Sequence, residues 1–502
     1  MSDLSNSWTC APVSAVAELV RGVTYKKVDA SASPAQGYLP ILRATNINGR
    51  LSLESEMIFI PARYVRPEQR VRVGDIVVAM SSGSANVVGK SADLQRPWEG
   101  AFGAFCSVIR PSPLLAARYL AHLVASPGVR KQWRELAQGT NINNLKSSDL
   151  ANTVIALPPT AEQERIVVAI EEQFSRLDAA VMVLQRVRQN LKRMRAAVLQ
   201  AAITGTLAPM VSDQSLTADL LAQILKARRN ASRGTVRRYG ELARPMDSKL
   251  SIPNHWIFVS LDMLAESAES ITDGPFGSNL KRSHYTTSGP RVIRLQNVGS
   301  DGEFVDIKAH ISEEHYQSLT KHSVRPGDLV CVLLGQVIPK AVIVPSDIGP
   351  AIVKADCPRV RVSPLVNSRF VWATLNAPGV QQEVSRRIHG VGRPRLTLKE
   401  LREVAIPLPP RHEQDAIVEV MDRQLEAIDR VSAELDQRWF KVEPLRSAIL
   451  SAAFSGKLVP RDGDDEPASA LLERIAAERA ASNGQGSMRS RKPRALRGEV
   501  TA

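Results

Sequence analysis

Gly89-Lys90-Ser91 is the segment whose residue types come nearest to reaction chemistry. Glycine, lysine and serine in that order close a phosphate-binding loop, in which backbone N–H groups and the lysine hold a nucleotide's phosphates. That loop also needs a glycine five residues before its second one, and position 84 is Ser84, with Gly83 one residue too far back. The matching place later in the chain reads Gly335-Gln-Val-Ile-Pro339-Lys340 and lacks the motif, so nucleotide hydrolysis is disfavoured. Asp247-Ser-Lys249 and Asp306-Ile-Lys308 each carry the carboxylate-x-lysine tail of a metal-dependent nuclease, but neither has an upstream carboxylate partner on a strand. His310 and His315 lack the glutamate of a metal-binding helix, and Cys10, Cys106, Cys331 and Cys357 form no CxxC pair. No Asn-Pro-Pro-Tyr/Phe and no glycine-rich S-adenosylmethionine loop is present. The chain thus reads as recognition machinery, with no catalytic residue, metal ligand or cofactor of its own expected.

What it recognises is suggested by charge. Among 502 residues, 65 Lys+Arg oppose 51 Asp+Glu, giving +14 with an ordinary hydrophobic fraction of 44%. That balance suits a folded protein with a polyanionic partner. Arg on guanine and Asn or Gln on adenine read base edges in a major groove. Such side chains gather in Gly/Ser/Asn-rich loops: Arg43 with Asn46, Ser82 with Ser84 and Lys90, Asn141 with Asn143, Asn144 and Lys146. Later in the chain come Lys281 with Arg282, Arg294 with Gln296 and Asn297, Lys340, and Arg393 with Arg395. The opening residues lack a secretory pattern and no apolar run reaches 18 residues, so a cytoplasmic protein without membrane insertion is expected.

These two sets occupy near-equivalent places because the chain repeats itself. At an offset of 251, Ile155-Ala-Leu-Pro-Pro-Thr-Ala-Glu-Gln-Glu-Arg-Ile-Val167 lies over Ile406-Pro-Leu-Pro-Pro-Arg-His-Glu-Gln-Asp-Ala-Ile-Val418, with eight of thirteen positions identical. Ordinary composition predicts about one. The same register pairs Arg43 with Arg294, Asn46 with Asn297, Cys106 with Cys357, Arg110 with Arg361, Arg118 with Arg369 and Pro127-Gly-Val129 with Pro378-Gly-Val380. Between those islands loop lengths differ, as Gly74-Asp75 meets Gly327-Asp328 only at an offset of 253. A shared frame with divergent loops implies two modules performing one task on different targets.

Each copy begins with β-branched runs broken by Gly, Pro, Asn and Ser, among them Asp75–Ala79, Ser107–Ile109, Asp328–Leu333 and Lys340–Val344, which predict a strand-rich α/β domain. A helical stretch follows over 114–138 and 365–387. After each Leu-Pro-Pro a coiled-coil stripe takes over. In the first copy it comprises Ile170, Phe174, Leu177, Val181 and Leu184, then Val187, Leu191, Met194, Val198 and Ala201, with a phase slip near Leu184. In the second it comprises Met421, Leu425, Ile428, Leu435, Val442, Leu445, Ile449 and Ala452. A helix over 160–204 would span roughly 65–70 Å, and Pro444 should kink its counterpart. Leu220–Leu225 and Leu471–Ile475 each begin a shorter amphipathic helix leading into a basic stretch. The expected divisions are a first recognition domain at 1–154, a helical spacer at 155–209, a short helix and basic linker at 210–251, a second recognition domain at 252–405, a second spacer at 406–460, and a short helix and basic tail at 461–502.

Asp273-Gly-Pro-Phe-Gly-Ser-Asn-Leu-Lys-Arg-Ser-His-Tyr285, Arg291-Val-Ile-Arg-Leu-Gln-Asn-Val-Gly299, Ile252-Pro-Asn-His-Trp256 and the doubled Leu-Pro-Pro-x-x-Glu-Gln-x-x-Ile-Val resemble type I restriction–modification DNA specificity subunits over nearly the whole chain. The surroundings of Trp8 match those of Trp256 poorly, and Asp273–Tyr285 has no clear copy near residues 22–34. The resemblance implies an α+β architecture: two strand-rich α/β target-recognition domains separated by two long antiparallel coiled-coil helices, with pseudo-two-fold symmetry from the tandem repeat. It further implies double-stranded DNA as ligand, read as two half-sites whose gap the helices set. Two modification subunits that bind S-adenosylmethionine and methylate adenine, and restriction/translocase subunits, would be the partners. The alternatives are a nuclease or NTPase with its own active site, or a coiled-coil scaffold indifferent to DNA sequence.

Overall fold

The structure, a computed structural model, describes residues 7–84, 86–137, 143–208, 214–232, 242–335, 337–388 and 394–488. It divides into two compact units: the described residues of Met1–Val183 with those of Gln437–Ala502, and Leu184–Asp436. Each unit has its own hydrophobic core.

In the first unit a four-stranded antiparallel sheet orders Ala17–Arg21, Cys106–Pro111, Ile76–Ala79 and Ser91–Asp93. A three-stranded sheet orders Ile58–Pro61, Tyr38–Leu42 and Ala101–Phe102, and Thr9–Pro12 pairs with Val154–Leu157 at the domain's edge. The second unit repeats the plan. Ile271–Thr272, Arg359–Val360, Leu329–Val332 and Lys340–Ile343 form its four-stranded sheet, and Ile257–Ser260 pairs with Ala405–Leu408. Ile76–Ala79 and Leu329–Val332 are buried at every position, so they read as unbroken apolar runs rather than alternating ones.

The helical stretches over 114–138 and 365–387 are each two helices. Ala117–Ala125 stops at Ser126 and Pro127–Leu136 begins anew; Ser368–Asn376 stops at Ala377 and Pro378–Ser385 begins anew. The prolines explain the correction, because Pro lacks the N–H a continuing helix needs but suits a first helical position.

Thr160–Ile203 is a single 44-residue helix. Its counterpart is Arg411–Phe440 followed by Val442–Phe454, divided at Lys441. Pro444 cannot donate to the carbonyl four residues back, and the break falls within that turn. The predicted stripe holds at Ile170, Phe174, Leu177, Val181, Leu184 and Leu191, and at Met421, Leu425, Ile428, Leu435, Val442 and Ile449, all buried or half-buried. Past Leu184 the shifted stripe holds at Val187, Leu191, Val198 and Ala201, all buried or half-buried, and fails at one position. Met194 is 54% exposed and Leu445 49%, whereas Leu199 and Ala202 are buried. Seven-residue steps on from Phe174 and Val181 reach the exposed Arg188 and the half-buried Arg195. Within the second unit Arg188 pairs with Asp436 at 3.3 Å and Arg195 with Asp429. A step of seven along one helix meets a step of seven back along the other, so the segments run antiparallel there. Within the first unit Arg446 pairs with Asp178, and its guanidinium sits 5.0 Å from the Phe174 ring centroid.

The shorter helices find unexpected homes. Gln214–Ala231, which follows the first copy, packs on the second unit: Ile224 is fully buried, Thr217 donates to the His255 carbonyl at 2.8 Å, and Arg228 bonds Asp262 at 3.0 Å. Ala468–Met488, which follows the second copy, packs on the first unit, burying Leu471 and Ile475 in the core that holds Trp8, Val13 and Ile155. Each copy's tail thus completes the other copy's domain. No helix among the described residues is long and apolar enough to cross a membrane.

Candidate nucleic-acid interface

The recognition loops need a rigid frame, and the repeated residues supply it. Glu162 and Gln163 of the first Leu-Pro-Pro-x-x-Glu-Gln, with Glu413 and Gln414 of the second, are all buried. Gln163 donates from Nε2 to the Pro158 carbonyl at 3.0 Å and accepts from the Ala116 N–H at 3.2 Å. Gln414 does the same with Pro409 at 2.9 Å and Asn367 at 2.8 Å. The motif therefore clamps the turn into the long helix against the last part of its domain. Glu162 accepts from the Trp8 indole N–H at 3.0 Å, and Glu413 from that of Trp256 at 2.8 Å. Burial raises the Glu162 carboxyl above its usual range, and the Trp8 hydrogen bond offsets part of that. Trp8 and Trp256 are thus structural equivalents despite unlike surroundings. So are Gly22 and Gly274: a Cβ on either would lie 2.1 Å from the backbone of Gly103 or Lys354, themselves repeat partners. The first copy does carry a counterpart of the 273–285 opening, reduced to one close backbone approach.

Paired charges repeat as well. Arg110 forks onto Asp75 at 2.7 and 2.8 Å, and Arg361 onto Asp328 at 2.8 Å through both nitrogens. Arg118 holds Glu171 at 2.7 Å, and Arg369 holds Asp422 at 2.9 Å. All three buried cysteines are inert core residues, with burial raising each thiol to about 12.

On this frame the predicted readers separate into two kinds. Asn46 and Asn297 are buried and their amides are spent. Asn46 Oδ1 accepts from the Arg43 N–H at 2.9 Å while Nδ2 donates to the Ser55 carbonyl at 3.1 Å; Asn297 accepts from Arg294 at 2.9 Å and donates to Val305 and Ile307. Both asparagines are corrected from base readers to turn-formers, a role their side chains fill readily. Gln296 at the tip of the second turn is exposed. Arg43 and Arg294 are half-buried, and each keeps a buried Nε without a partner among the described residues. Arg294 lies 6.0 Å from the Tyr285 ring centroid, and Lys281 and Arg282 in the turn before Tyr285 are exposed.

The structure unites further predicted residues. Ser82 pairs with Asn143, and Ser81 with Asn144, in a two-stranded ribbon. Leu334 bridges Arg395 at the corresponding place, where Arg395 is exposed and bonds Asp356 at 2.7 Å. Lys90 donates to Asn48 at 3.4 Å, tying its loop to the 43–48 turn. Ser84 and Lys146 are exposed, and Lys340 is half-buried at the head of its strand. Asn141 and Arg393 lie outside the described residues. Gly89-Lys90-Ser91 opens the strand Ser91–Asp93 rather than a helix, so it lacks the helix N-terminus of a phosphate loop.

Sequence reading missed a cleft of ≈ 1390 Å³ within the first unit, walled by the sheet domain and by its long-helix segments. Arg50, Lys90, Arg118, Arg130, Arg134 and Arg446 line it. Arg130 and Arg134 fall on a helix, away from the Gly/Ser/Asn loops in which base-reading side chains gather. Their spacing of four was the available signal. His122 also faces the cleft, its imidazole held down to about 4 by burial and by the Arg118 charge.

Residues 345–437 match the family described as the type I restriction modification DNA specificity domain. The chain is 29% identical to the type I restriction enzyme EcoKI specificity subunit of Escherichia coli K12, over 97% of this chain and 99% of that one. It is 30% identical to the StySPI specificity subunit of Salmonella potsdam, again over 97% and 99%. A chain solved in work on complex assembly and conformational transition of the type I R-M system shares the fold, with a TM-score of 0.62 at 17% identity over 90% of this chain and 99% of that one. The chain belongs to the family of type I restriction enzyme specificity subunits.

Proposed function

We propose that the chain confers DNA sequence specificity on a type I restriction–modification complex. The domains at 1–154 and 252–405 each read one half of a split, asymmetric site in double-stranded DNA, and the paired helices set the gap. The observation that carries this reading is the contrast between frame and surface. The frame pairs Arg110–Asp75 and Arg361–Asp328, Trp8–Glu162 and Trp256–Glu413, recur in both units. The exposed positions do not: Thr45 and Gln296 stand at the same place in one repeated turn. Identical mounts with different tips are what a reader of two unlike half-sites requires.

Catalysis belongs to the partners in this proposal. Two modification subunits bind S-adenosylmethionine and methylate adenine, restriction/translocase subunits join them, and the assembly works in the cytoplasm. This chain supplies phosphate contacts for affinity and loop side chains for discrimination. The test is to co-express it with its modification subunit and map methylated adenines in the host genome. Methylation at one bipartite motif, lost when this chain is omitted, is the expected result. Methyl transfer or DNA cleavage by the purified chain alone would defeat the proposal, as would methylation with no sequence motif.

A further inference from the structure

The helix Pro127–Leu136 in the first unit carries Arg130, Lys131 and Arg134 against a single acid, Glu135, which pairs with Lys131 at 3.9 Å. Arg130 and Arg134 stand four apart on the cleft wall, with no carboxylate partner for either among the described residues. Like charges at that spacing cost a helix a few tenths of a kcal/mol. Trp133, on the adjoining face of the helix, is fully buried with its indole N–H donating to Thr153 at 2.8 Å, which fixes the helix's rotation and holds the pair at the cleft. Arg130 Nε is buried and has no hydrogen-bond partner among the described residues.

The repeat supplies a built-in control. Arg130 and Arg134 correspond to Gln381 and Ser385 on Pro378–Ser385. Gln381 Nε2 donates to the Pro339 carbonyl at 3.0 Å, and Arg130 Nη2 makes the equivalent bond to the Asn86 carbonyl at 3.4 Å. Glutamine therefore meets the structural need at this position, leaving the guanidinium charge in the first unit without a folding role. The second unit's helix is also covered. Gly379 N–H donates to Gln200 at 2.8 Å, and a Cβ there would strike Leu250 at 2.6 Å. A Cβ on Gly128 would meet nothing within 4 Å.

We infer that Arg130 and Arg134 form a phosphate clamp for the DNA backbone, present in the first unit and absent from the second. The inference rests on the DNA-reading proposal and adds an asymmetry to it: the first half-site supplies the larger electrostatic share of binding. A backbone clamp should be blind to base sequence and sensitive to salt.

The experiment uses the full chain assembled with its modification subunit. Affinity is measured over a salt series for a duplex bearing its methylated motif and for an unrelated duplex. The double substitution Arg130→Gln and Arg134→Ser installs the second unit's own residues and keeps the loop hydrogen bond. It should reduce the slope of log K against log salt by about 1–2 and weaken both duplexes alike, about tenfold per lost contact near 0.1 M salt. An unchanged slope, or weakening confined to the motif duplex, overturns the clamp. So does lost assembly with the modification subunit at an unchanged slope, which would make the pair a protein contact. Should the double variant melt early, Arg134→Ser alone must still lower the slope by about one. A wild-type complex that binds neither duplex would overturn the DNA reading itself, and the clamp with it.

Discussion

At the scale of single residues, the repeated Arg-x-x-Asn turn shows how two neighbouring side chains come to differ in purpose. Asn297 holds the turn with three hydrogen bonds, and Gln296 beside it is exposed. Gln296→Ala should relax one half-site by about 1–3 kcal/mol and leave the other unchanged, read as affinity for duplexes varied at one half only. Asn297→Ala should instead cost about 1–3 kcal/mol of stability and weaken binding of every duplex alike. The sequence showed both residues at equivalent places, but a polar amide in a loop reads the same whether it faces solvent or its own backbone. His122 gives a third test. Its ordinary value is 6.5 and the fold holds it down to about 4, so between those values the unfolded chain takes up a proton that the folded chain refuses. The side chain is 12% exposed, so little screening applies. Stability is therefore full above pH 6.5 and falls by about 3 kcal/mol as the pH drops to 4. His122→Ala, which installs the residue of the second copy, should flatten the fall in melting temperature over that window; an equally steep fall would clear His122 of the effect.

At the scale of elements, the long helices were legible because a seven-residue period over 44 residues has few competing explanations. What the pattern concealed was the arginines beside the stripe. Arg188 and Arg195 continue the row of Phe174 and Val181 at seven-residue steps, while the apolar stripe shifts to Val187 and leaves Met194 exposed. Those arginines serve as charge partners across the helices, Arg188 for Asp436 and Arg195 for Asp429. The proline breaks at 127 and 378 are equally visible in the sequence, but the apolar residues on either side of each mask the interruption. If helix length sets the gap, inserting one heptad between 177 and 191 keeps the seam in phase while lengthening it. The methylated motif should then change its gap, or methylation should cease; an unaltered motif would show that the helices do not measure distance.

At the scale of the whole molecule, copies and compact units differ, and this is what a one-dimensional repeat could not display. The sequence is two tandem copies, yet the first unit takes its first 183 residues from one end of the chain and the rest from 437 onward. Its core needs both parts, because Leu450, Ala453, Leu471 and Ile475 pack with Trp8, Ile155 and Ile170. Arg165 bonding Asp465 at 2.5 Å and Ser7 accepting from the Ala468 N–H at 3.0 Å fasten the join. Among the described residues the second unit's main core draws on Val187 to Leu435, all within one unbroken stretch of chain. Burial of a complete core is the condition for independent folding. The fragment 184–436 should therefore unfold cooperatively by itself, while 1–183 should not, because removing 437–502 strips apolar partners from several buried side chains at a cost of about 2–5 kcal/mol for each large one. Adding 437–502 in trans should restore cooperative melting to 1–183. Cooperative unfolding of 1–183 alone, seen by calorimetry, would mean that the repeat copy rather than the compact unit is the folding unit, and that the exchanged tails contribute little.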